Sequence, residues 1–357
     1  MSDINIRQVG PKAAKRSIQV AVNKRRPVFL WGPPGVGKSD IVAQIGRESS
    51  REVIDVRLAL WEPTDIKGIP YYNAEMGAMT WAPPAELPTN SDSTAIIFLD
   101  ELNSAPPAVQ AAAYQLILNR RVGTYKLPDG VDIVAAGNRD GDKGVTFRMP
   151  APLANRFVHI EMKVDFDDWQ EWAVDNNIHP EVVGYCGFAK QDLYDFDPKS
   201  PSKSFATPRS WSFVSELIDD DVDHDTLTTL VSGAIGDGLA VKFMAHRKIA
   251  SKLPKADEIL DGEVTDLAIK EISAMYSLTV SLCYELKERA DKKVLGWDDM
   301  ADRFFAYMMK NFPTELVVMG AKTALTNYGL PLDANKMDHF DEFHQRFGKY
   351  VQAAMNS

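Results

Sequence analysis

The sequence is poor in cysteine and contains no long apolar run. Its two cysteines, Cys186 and Cys283, lie far apart and have no partners at metal-ligand spacing. This pattern argues against both a zinc site and a disulfide framework, and it suits a reducing cytoplasm. No window approaches the roughly 18 apolar residues of a membrane span, and the amino terminus lacks an apolar core behind a basic start. We therefore predict a cytoplasmic protein that is neither exported nor embedded in a membrane.

Positive charge is also in short supply. The chain carries 40 Lys and Arg residues against 50 Asp and Glu residues, which gives a formal net charge of -10. Such an acidic total argues against duplex nucleic acid as the main partner, although it leaves room for a local basic strip. The composition, 45% hydrophobic and 25% charged, is otherwise that of an ordinary folded chain, and 357 residues are enough for two or three domains. The six histidines are scattered, and we interpret them as surface or capping residues.

Residues 32–39 carry the most specific motif in the sequence. They read Gly-Pro-Pro-Gly-Val-Gly-Lys-Ser, which matches the phosphate-binding pattern G-x-x-x-x-G-K-S/T, and they follow the apolar run 27–31, a predicted buried strand. In such a loop backbone N–H groups point at the α- and β-phosphates, Lys38 reaches the β- and γ-phosphates, and the Ser39 hydroxyl ligates Mg²⁺. A Gly-Pro-rich turn is the alternative, which the match at every fixed position disfavours. The predicted nucleotide-binding residues are Gly32, Pro33, Pro34, Gly35, Val36, Gly37, Lys38, Ser39 and Asp40.

A second motif predicts hydrolysis as well as binding. The apolar run 95–99 reads as a buried parallel strand and ends in Asp100-Glu101. Residues at the carboxyl end of such a strand emerge where open α/β sheets bind their ligands. We predict that Asp100 holds Mg²⁺ through water and that Glu101 polarises the attacking water, since phosphoryl transfer depends on positioning and charge neutralisation. A solvated Asp-Glu turn is the alternative, and the phosphate-binding loop upstream argues against it.

Strand and helix patterns alternate up to residue 164 and then give way to helical patterns alone. The alternation predicts a parallel α/β sheet flanked by helices. We predict an α/β nucleotide-binding domain over 1–164 with a hairpin insert near 61–89, a helical lid over 165–254, and a helical extension over 255–357. Residues 122–127 and 131–136 read as a strand, a turn and a second strand that ends near Asn138. The stretches 267–276 and 304–309 have helical spacing typical of core.

The order and spacing of these motifs resemble those of the AAA+ ATPases, and most of all their MoxR-type, dynein-related branch. The resemblance covers about residues 10 to 250 and is carried by the runs 32–39, 63–68, 98–107 with Gln110, 135–138, 152–157 and 206–211. It implies a P-loop NTPase core, an all-helical lid and a helical carboxyl-terminal extension. It also implies a homo-oligomeric ring, expected to be a hexamer, that binds ATP and Mg²⁺.

The same resemblance assigns three further site residues. Asn138 falls at the sensor 1 position, where it would contact the γ-phosphate; the alternative is an Asn that favours a turn after a strand. Arg156 falls at the arginine finger, which reaches the nucleotide of the neighbouring subunit; the alternative is a surface arginine paired with a carboxylate. Arg209 falls at sensor 2, after the predicted N-cap Thr207 and a proline at the first helical position. Other arginines near strand or helix ends compete for the finger assignment, namely Arg120, Arg121, Arg139 and Arg148.

The function implied by the resemblance is remodelling of a protein partner. MoxR-like ATPases resemble chaperones that mature other proteins or metal centres, and they commonly act with a protein that carries a von Willebrand A-like domain. The insert 61–89 and the hairpin 122–127 would face the pore and touch the client, unless the insert merely covers the sheet. A nucleic-acid-associated AAA+ motor is the alternative function, and a nucleotide-dependent scaffold with negligible turnover is a second one.

Overall fold

The computed structural model describes residues 6–139, 141–142, 146–219 and 221–355. The chain divides into two compact units. The first runs to Asp168 and includes Asp197–Pro201, and the second comprises Trp169–Phe196 and the residues from Ser202 onward. The division of the chain into three domains stays a prediction. No helix among the described residues is long and apolar enough to cross a membrane.

The first unit alternates strands and helices along the chain. Its elements are β1 Gln8–Val9, α1 Pro11–Asn23, β2 Val28–Trp31, α2 Lys38–Glu48, β3 Val53–Arg57, α3 Pro63–Lys67, β4 Ile69–Asn73, β5 Ala78–Ala82, β6 Ile96–Asp100, α4 Pro107–Asn119, β7 Arg121–Val122, β8 Tyr125–Lys126, β9 Asp132–Gly137, α5 Ala151–Ala154 and β10 Val158–Met162. Helix α6, Phe166–Asp175, contains the boundary between the two units.

Parallel strands form the central sheet in the order β1-β10-β2-β9-β6-β3. The middle strands are continuous apolar runs because both faces of the sheet are covered. Phe29, Ile97 and Ala135 belong to the core on one face, which α4 covers. Alternate residues along the same strands point to the opposite face, where α1 and α2 contact the sheet. The sequence therefore predicted the fold class of this unit correctly.

Two small hairpins project from this unit. Strands β4 and β5 pair antiparallel from Ile69 opposite Ala82 to Asn73 opposite Ala78, within the span predicted to contain a hairpin insert. Strands β7 and β8 form a second hairpin in the segment 122–127, for which the sequence indicated both a strand before a turn and a hairpin. Gly123 makes this possible, because its φ of 57° suits the tight turn of a two-residue hairpin.

The second unit is helical. It contains the rest of α6, and then α7 Pro180–Phe188, α8 Pro208–Leu217, α9 His224–Ile235, α10 Asp237–Ala250, α11 Ala256–Leu260, α12 Ile272–Asp291, α13 Trp297–Asn311, α14 Thr314–Lys322 and α15 Asp338–Met355. Helix α12 packs along α7, where a Cβ on Gly184 would lie 2.4 Å from the backbone of Ser277. The predicted core stretch 304–309 is mostly buried, whereas in 267–276 the helix begins only at Ile272. Both cysteines are buried and free.

Candidate nucleotide-binding site

The phosphate-loop segment lies between the carboxyl end of β2 and the first turn of α2. Gly35 and Gly37 have φ angles of 75° and 88°, which residues with side chains rarely adopt. Gly37 is the N-cap of α2, and no side chain caps the N–H groups of the first helical turn. These groups have no partner within the helix, and together with the helix dipole they favour an anion such as phosphate.

Lys38 and Asn138 are in contact beyond the carboxyl ends of the neighbouring strands β2 and β9. The Lys38 ammonium donates hydrogen bonds to the carbonyl oxygens of Gly32 at 2.6 Å and Pro33 at 3.1 Å, and to Asn138 Oδ1 at 3.1 Å. Asn138 directly follows β9, which lies next to β2 in the sheet, with Gly137 in register with Trp31. Two predicted site residues that are 100 positions apart in the sequence are therefore in contact.

Ser39 and Asp100 form a second contact across the same edge. The Ser39 hydroxyl donates to Asp100 Oδ2 at 3.1 Å, and the Glu101 N–H donates to Asp100 Oδ1 at 2.9 Å. Hydroxyl and carboxylate oxygens are suited to Mg²⁺, which binds through few protein oxygens and completes its shell with water and phosphate. No cluster of three or more His, Cys, Asp or Glu side chains that could hold a metal ion occurs in the described parts of the chain.

Glu101 is exposed and adopts a left-handed backbone conformation with φ of 54°. Such a conformation is uncommon for a residue with a side chain, and it often marks a functional position. Asp40 is also exposed, in the first turn of α2, where its negative charge favours the helix amino terminus. Arg209 lies in the second unit, exposed in the first turn of α8. Thr207 caps that helix as predicted, since its side chain accepts a hydrogen bond from the Ser210 N–H.

Asn103 supports the loop that carries Asn138, and the sequence did not single it out. Its side chain is 2% exposed and donates to the Asn138 carbonyl oxygen at 2.7 Å. A Cβ on Gly137 would lie 2.1 Å from Asn103 Oδ1, so this close approach requires glycine. The position of Asn138 therefore depends on a residue from the turn after β6.

Asp55 is a second acidic residue near Asp100 that sequence reasoning missed. It lies on β3, which pairs with β6, and its partner in register is Phe98. Partial desolvation raises the pKa of Asp55 above its ordinary value, the charge of Asp100 raises it further, and Arg57 opposes both. The alternation of β3 indicated that Asp55 shares a face with Arg57, but only the strand order brings it beside Asp100.

Arg156 lies just before the amino end of β10, whereas the phosphate loop follows the carboxyl end of the neighbouring parallel strand β2. It follows α5 and precedes Val158, whose N–H donates to the Pro27 carbonyl oxygen at the start of β2. The phosphate loop begins after the other end of this strand, about 13 Å away along the strand direction. Arg156 is exposed, and within the described residues its guanidinium has no hydrogen-bond or ion-pair partner.

The four arginines that compete with Arg156 for the finger assignment differ in their hydrogen-bond partners and exposure. The Arg120 guanidinium donates to the carbonyl oxygens of Pro128 and Val131, both at 2.7 Å. Arg139 makes bidentate hydrogen bonds to Asp142 at 3.0 and 2.9 Å, which raise the pKa of the guanidinium. The other two are exposed, Arg121 on the second hairpin and Arg148 beside an open groove of about 250 Å³ next to α4.

The parallel sheet, the loop and the order of the motifs fit a P-loop NTPase core of the AAA+ class. Residues 27–157 match the family model of the AAA domain of the dynein-related subfamily. Midasin from Giardia intestinalis is 29% identical over 196 residues, which are 51% of this chain and 4% of midasin. Protein MoxR from Methylorubrum extorquens is 26% identical over 162 residues, which are 42% of this chain and 44% of MoxR. The matched segments thus span less than half the length of either relative.

Two solved structures are similar to this chain at low identity. A putative ATPase from Cytophaga hutchinsonii is 12% identical, with a TM-score of 0.36, over 89% of this chain and 81% of its own. The RuvB Holliday junction branch migration motor of Thermotoga maritima is 16% identical, with a TM-score of 0.37, over 85% and 88%. Such low TM-scores leave the assignment to the sequence matches. The chain contains an AAA+ ATPase domain of the MoxR-like, dynein-related type, as its motifs predicted.

Proposed function

We propose that this chain is a Mg²⁺-dependent ATPase that assembles into a homo-oligomeric ring, expected to be a hexamer, and couples hydrolysis to the remodelling or maturation of a protein partner. The observation that carries the proposal is the convergence of Lys38, Asn138, Ser39 and Asp100 at one edge of the sheet. A cation, an amide, a hydroxyl and a carboxylate at this position suit the binding of a nucleoside triphosphate with its metal ion.

Each residue has a role that follows from its chemistry. Lys38 and the N–H groups of the first α2 turn bind phosphate oxygens, and Ser39 with Asp100 holds Mg²⁺, which neutralises charge on the transferred phosphoryl group. Exposed Glu101 orients the attacking water, and Asn138 contacts the γ-phosphate. The adjacent carboxylates divide these roles because both oxygens of Asp100 accept hydrogen bonds, from Ser39 and from the Glu101 N–H, whereas the Glu101 side chain is exposed.

The location of Arg156 supports ring assembly. An exposed guanidinium at the edge of the sheet away from its own phosphate loop is suited to a site on another subunit. A head-to-tail interface between identical subunits closes into a ring when its rotation closes. We propose that Arg156 is the arginine finger of the next site around the ring. Arg121 and Arg148 remain the alternatives, and Arg209 is proposed as the sensor 2 residue contributed by the helical unit.

The first hairpin is the proposed contact with the client protein. Tyr72 and Met79 are opposite each other on β4 and β5 and are 69% and 71% exposed, with Ile69 and Met76 similarly exposed nearby. Exposed apolar clusters of this kind mark interaction surfaces, and methionine adapts to varied partners. The Thr124 hydroxyl donates to the Trp81 carbonyl oxygen at 3.0 Å, so the second hairpin packs against the first. A partner with a von Willebrand A-like domain is proposed from the family resemblance.

Mixing of two inactive variants tests the ring. Arg156→Ala keeps the phosphate loop and loses the finger, whereas Lys38→Ala keeps the finger and loses the cation that meets the phosphates. The finger acts mainly in the transition state, so Arg156→Ala alone should bind ATP normally and turn over about 10³ to 10⁵ times more slowly. Mixed rings should recover hydrolysis, because an intact loop on one chain meets an intact finger on the other.

Arg26→Ala serves as the matched control, since it removes an exposed arginine that directly precedes Pro27, the residue hydrogen-bonded to Val158 at the same end of the sheet. Mass spectrometry would show whether the rings contain both Arg156→Ala and Lys38→Ala chains. If such mixed rings recover no hydrolysis, Arg156 is excluded as a finger that acts between subunits. Arg148→Ala and Arg121→Ala would then be tested in its place with the same mixing assay.

The client contact is tested with a trapped ring. Glu101→Gln in the presence of ATP should hold the client, and the additional changes Tyr72→Ser and Met79→Ser should release it. Leu295→Ser is the matched control, because Leu295 is 97% exposed elsewhere on the chain. Equal loss of the bound protein with the control would contradict a specific role for the hairpin, and the same proteins retained by all variants would contradict client contact there.

A further inference from the structure

His159 connects the phosphate-loop strand with the segment that carries Arg156. It lies on β10 beside β2, where its partner in register is Phe29. Its Nδ1 is 2.9 Å from Trp31 Nε1, and its Nε2 is 2.8 Å from the Ala154 carbonyl oxygen. Trp31 directly precedes the phosphate loop, and Ala154 ends the short helix α5, two residues before Arg156.

These two contacts define the protonation form of the ring. An indole N–H only donates and a carbonyl oxygen only accepts. The imidazole of His159 must therefore be unprotonated at Nδ1, which accepts from Trp31, and protonated at Nε2, which donates to the Ala154 carbonyl oxygen. The neutral Nε2–H tautomer satisfies both partners, and the Trp31 indole selects it.

The bond to Ala154 closes a loop around Arg156. The Ala154 carbonyl also accepts the Phe157 N–H at 3.2 Å, and the Arg156 N–H donates to the Leu153 carbonyl at 3.0 Å. Aromatic contacts hold the His159 side of this loop, since the Trp31 ring stacks on His159 at 6.0 Å and the Phe157 ring meets it edge-on at 6.2 Å. The side chain of His159 thus ties the residues after Arg156 to the residues before it.

We infer that His159 is a positioning residue for Arg156, with its tautomer set by Trp31. The inference rests on the proposed role of Arg156 as a finger for the neighbouring site. The strand that leads into a subunit's own phosphate loop is joined through His159, by two hydrogen bonds, to Ala154, which lies two residues before the arginine that this subunit offers to the next one.

The test places His159→Phe on one side of a mixed interface at a time. Phenylalanine keeps an aromatic ring in the cluster and removes both nitrogen contacts. The reference mixture combines Arg156→Ala chains, which supply the phosphate loop, with Lys38→Ala chains, which supply the finger. His159→Phe in the finger-supplying chain should lower recovered hydrolysis about tenfold, as expected from the loss of one or two ordinary hydrogen bonds.

The same change in the loop-supplying chain, whose finger is already removed, should lower recovered hydrolysis less than about twofold. Equal losses on both sides would overturn the positioning role while leaving the finger assignment intact. No recovery in the reference mixture would instead refute the finger itself, and the inference with it. The two failures are therefore distinguishable.

Two further variants guard against a folding defect. His159→Gln in the finger-supplying chain should restore most of the hydrolysis, because its amide can accept from Trp31 and donate to Ala154 at once. Trp31→Phe in that chain should reduce it, since the indole no longer selects the Nε2–H tautomer. Nitrogen NMR shifts of His159 should report that tautomer in the unmodified protein, and protonation on Nδ1 would overturn the inference.

Discussion

Acid is expected to destabilise the helical unit through His246. This residue lies on α10 and is 4% exposed, so its interpretation as a surface or capping histidine was wrong, and its Nε2 is 2.8 Å from the Ser277 hydroxyl of α12. Its Nδ1 has no partner among the described residues, and aromatic rings of Tyr185 and Phe243 lie 5.4 and 6.5 Å from its own. Burial lowers the pKa of His246 from 6.5 to about 4, because the cation would lose its hydration in this environment.

The loss of stability in acid follows from the difference between the pKa of His246 in the unfolded chain and in the folded chain. Between pH 6.5 and about 4 the unfolded chain holds a proton on His246 that the folded chain lacks. Stability contributed by the neutral ring is therefore present above pH 6.5 and is lost as the pH falls towards 4. The complete loss is about 3 kcal/mol, of which about 2 kcal/mol should be gone at pH 5.

Urea unfolding of the full chain at pH 7.5 and pH 5 would measure this loss. Pulsed hydrogen exchange, read from peptides of α7, α10 and α12, reports the helical unit separately from the α/β unit. His246→Gln should remove about 2 kcal/mol of the pH dependence. Phe243→Leu, a matched change next to the ring, should lower stability by the same amount at both pH values. An unchanged pH dependence in His246→Gln would refute the argument.

Three further outcomes are expected. Lys38→Ala should abolish ATP binding in calorimetry, because the site loses the cation that binds the phosphates and keeps only its backbone donors. Unchanged ATP affinity would exclude residues 32–39 as the nucleotide-binding loop. Glu101→Gln should retain ATP binding with much slower steady-state turnover, whereas Asp100→Asn should raise the Mg²⁺ concentration needed; the reverse pattern would exchange their roles. Gly184→Ala should cost at least about 1–3 kcal/mol in thermal unfolding, since its Cβ would overlap the backbone of α12. Gly233→Ala, in open space on α9, should instead stabilise by about 1 kcal/mol, and equal effects would refute the overlap.

The elements around the phosphate loop were predictable because their signals are local. Buried apolar runs predicted β2 and β6, and the glycines at 35 and 37 adopt the conformations for which glycine is needed. The N-cap of α8 followed from Thr207 and the proline after it. Local signals were weaker at the second hairpin, whose residues were interpreted both as a strand and as a hairpin and contain a two-residue turn at Gly123.

The sequence by itself thus determined the class of fold, the position of the phosphate loop and the candidate residues of the site. Tertiary structure decided which of them meet. Lys38 contacts Asn138, and Asp55 approaches Asp100, because the strand order inserts β9 between β2 and β6 and places β3 at the sheet edge. The support of Asn138 by Asn103 and the link from His159 to Ala154, two residues before Arg156, arise in the same way. Strand order depends on how distant segments pack, and periodicity along the chain carries no record of it.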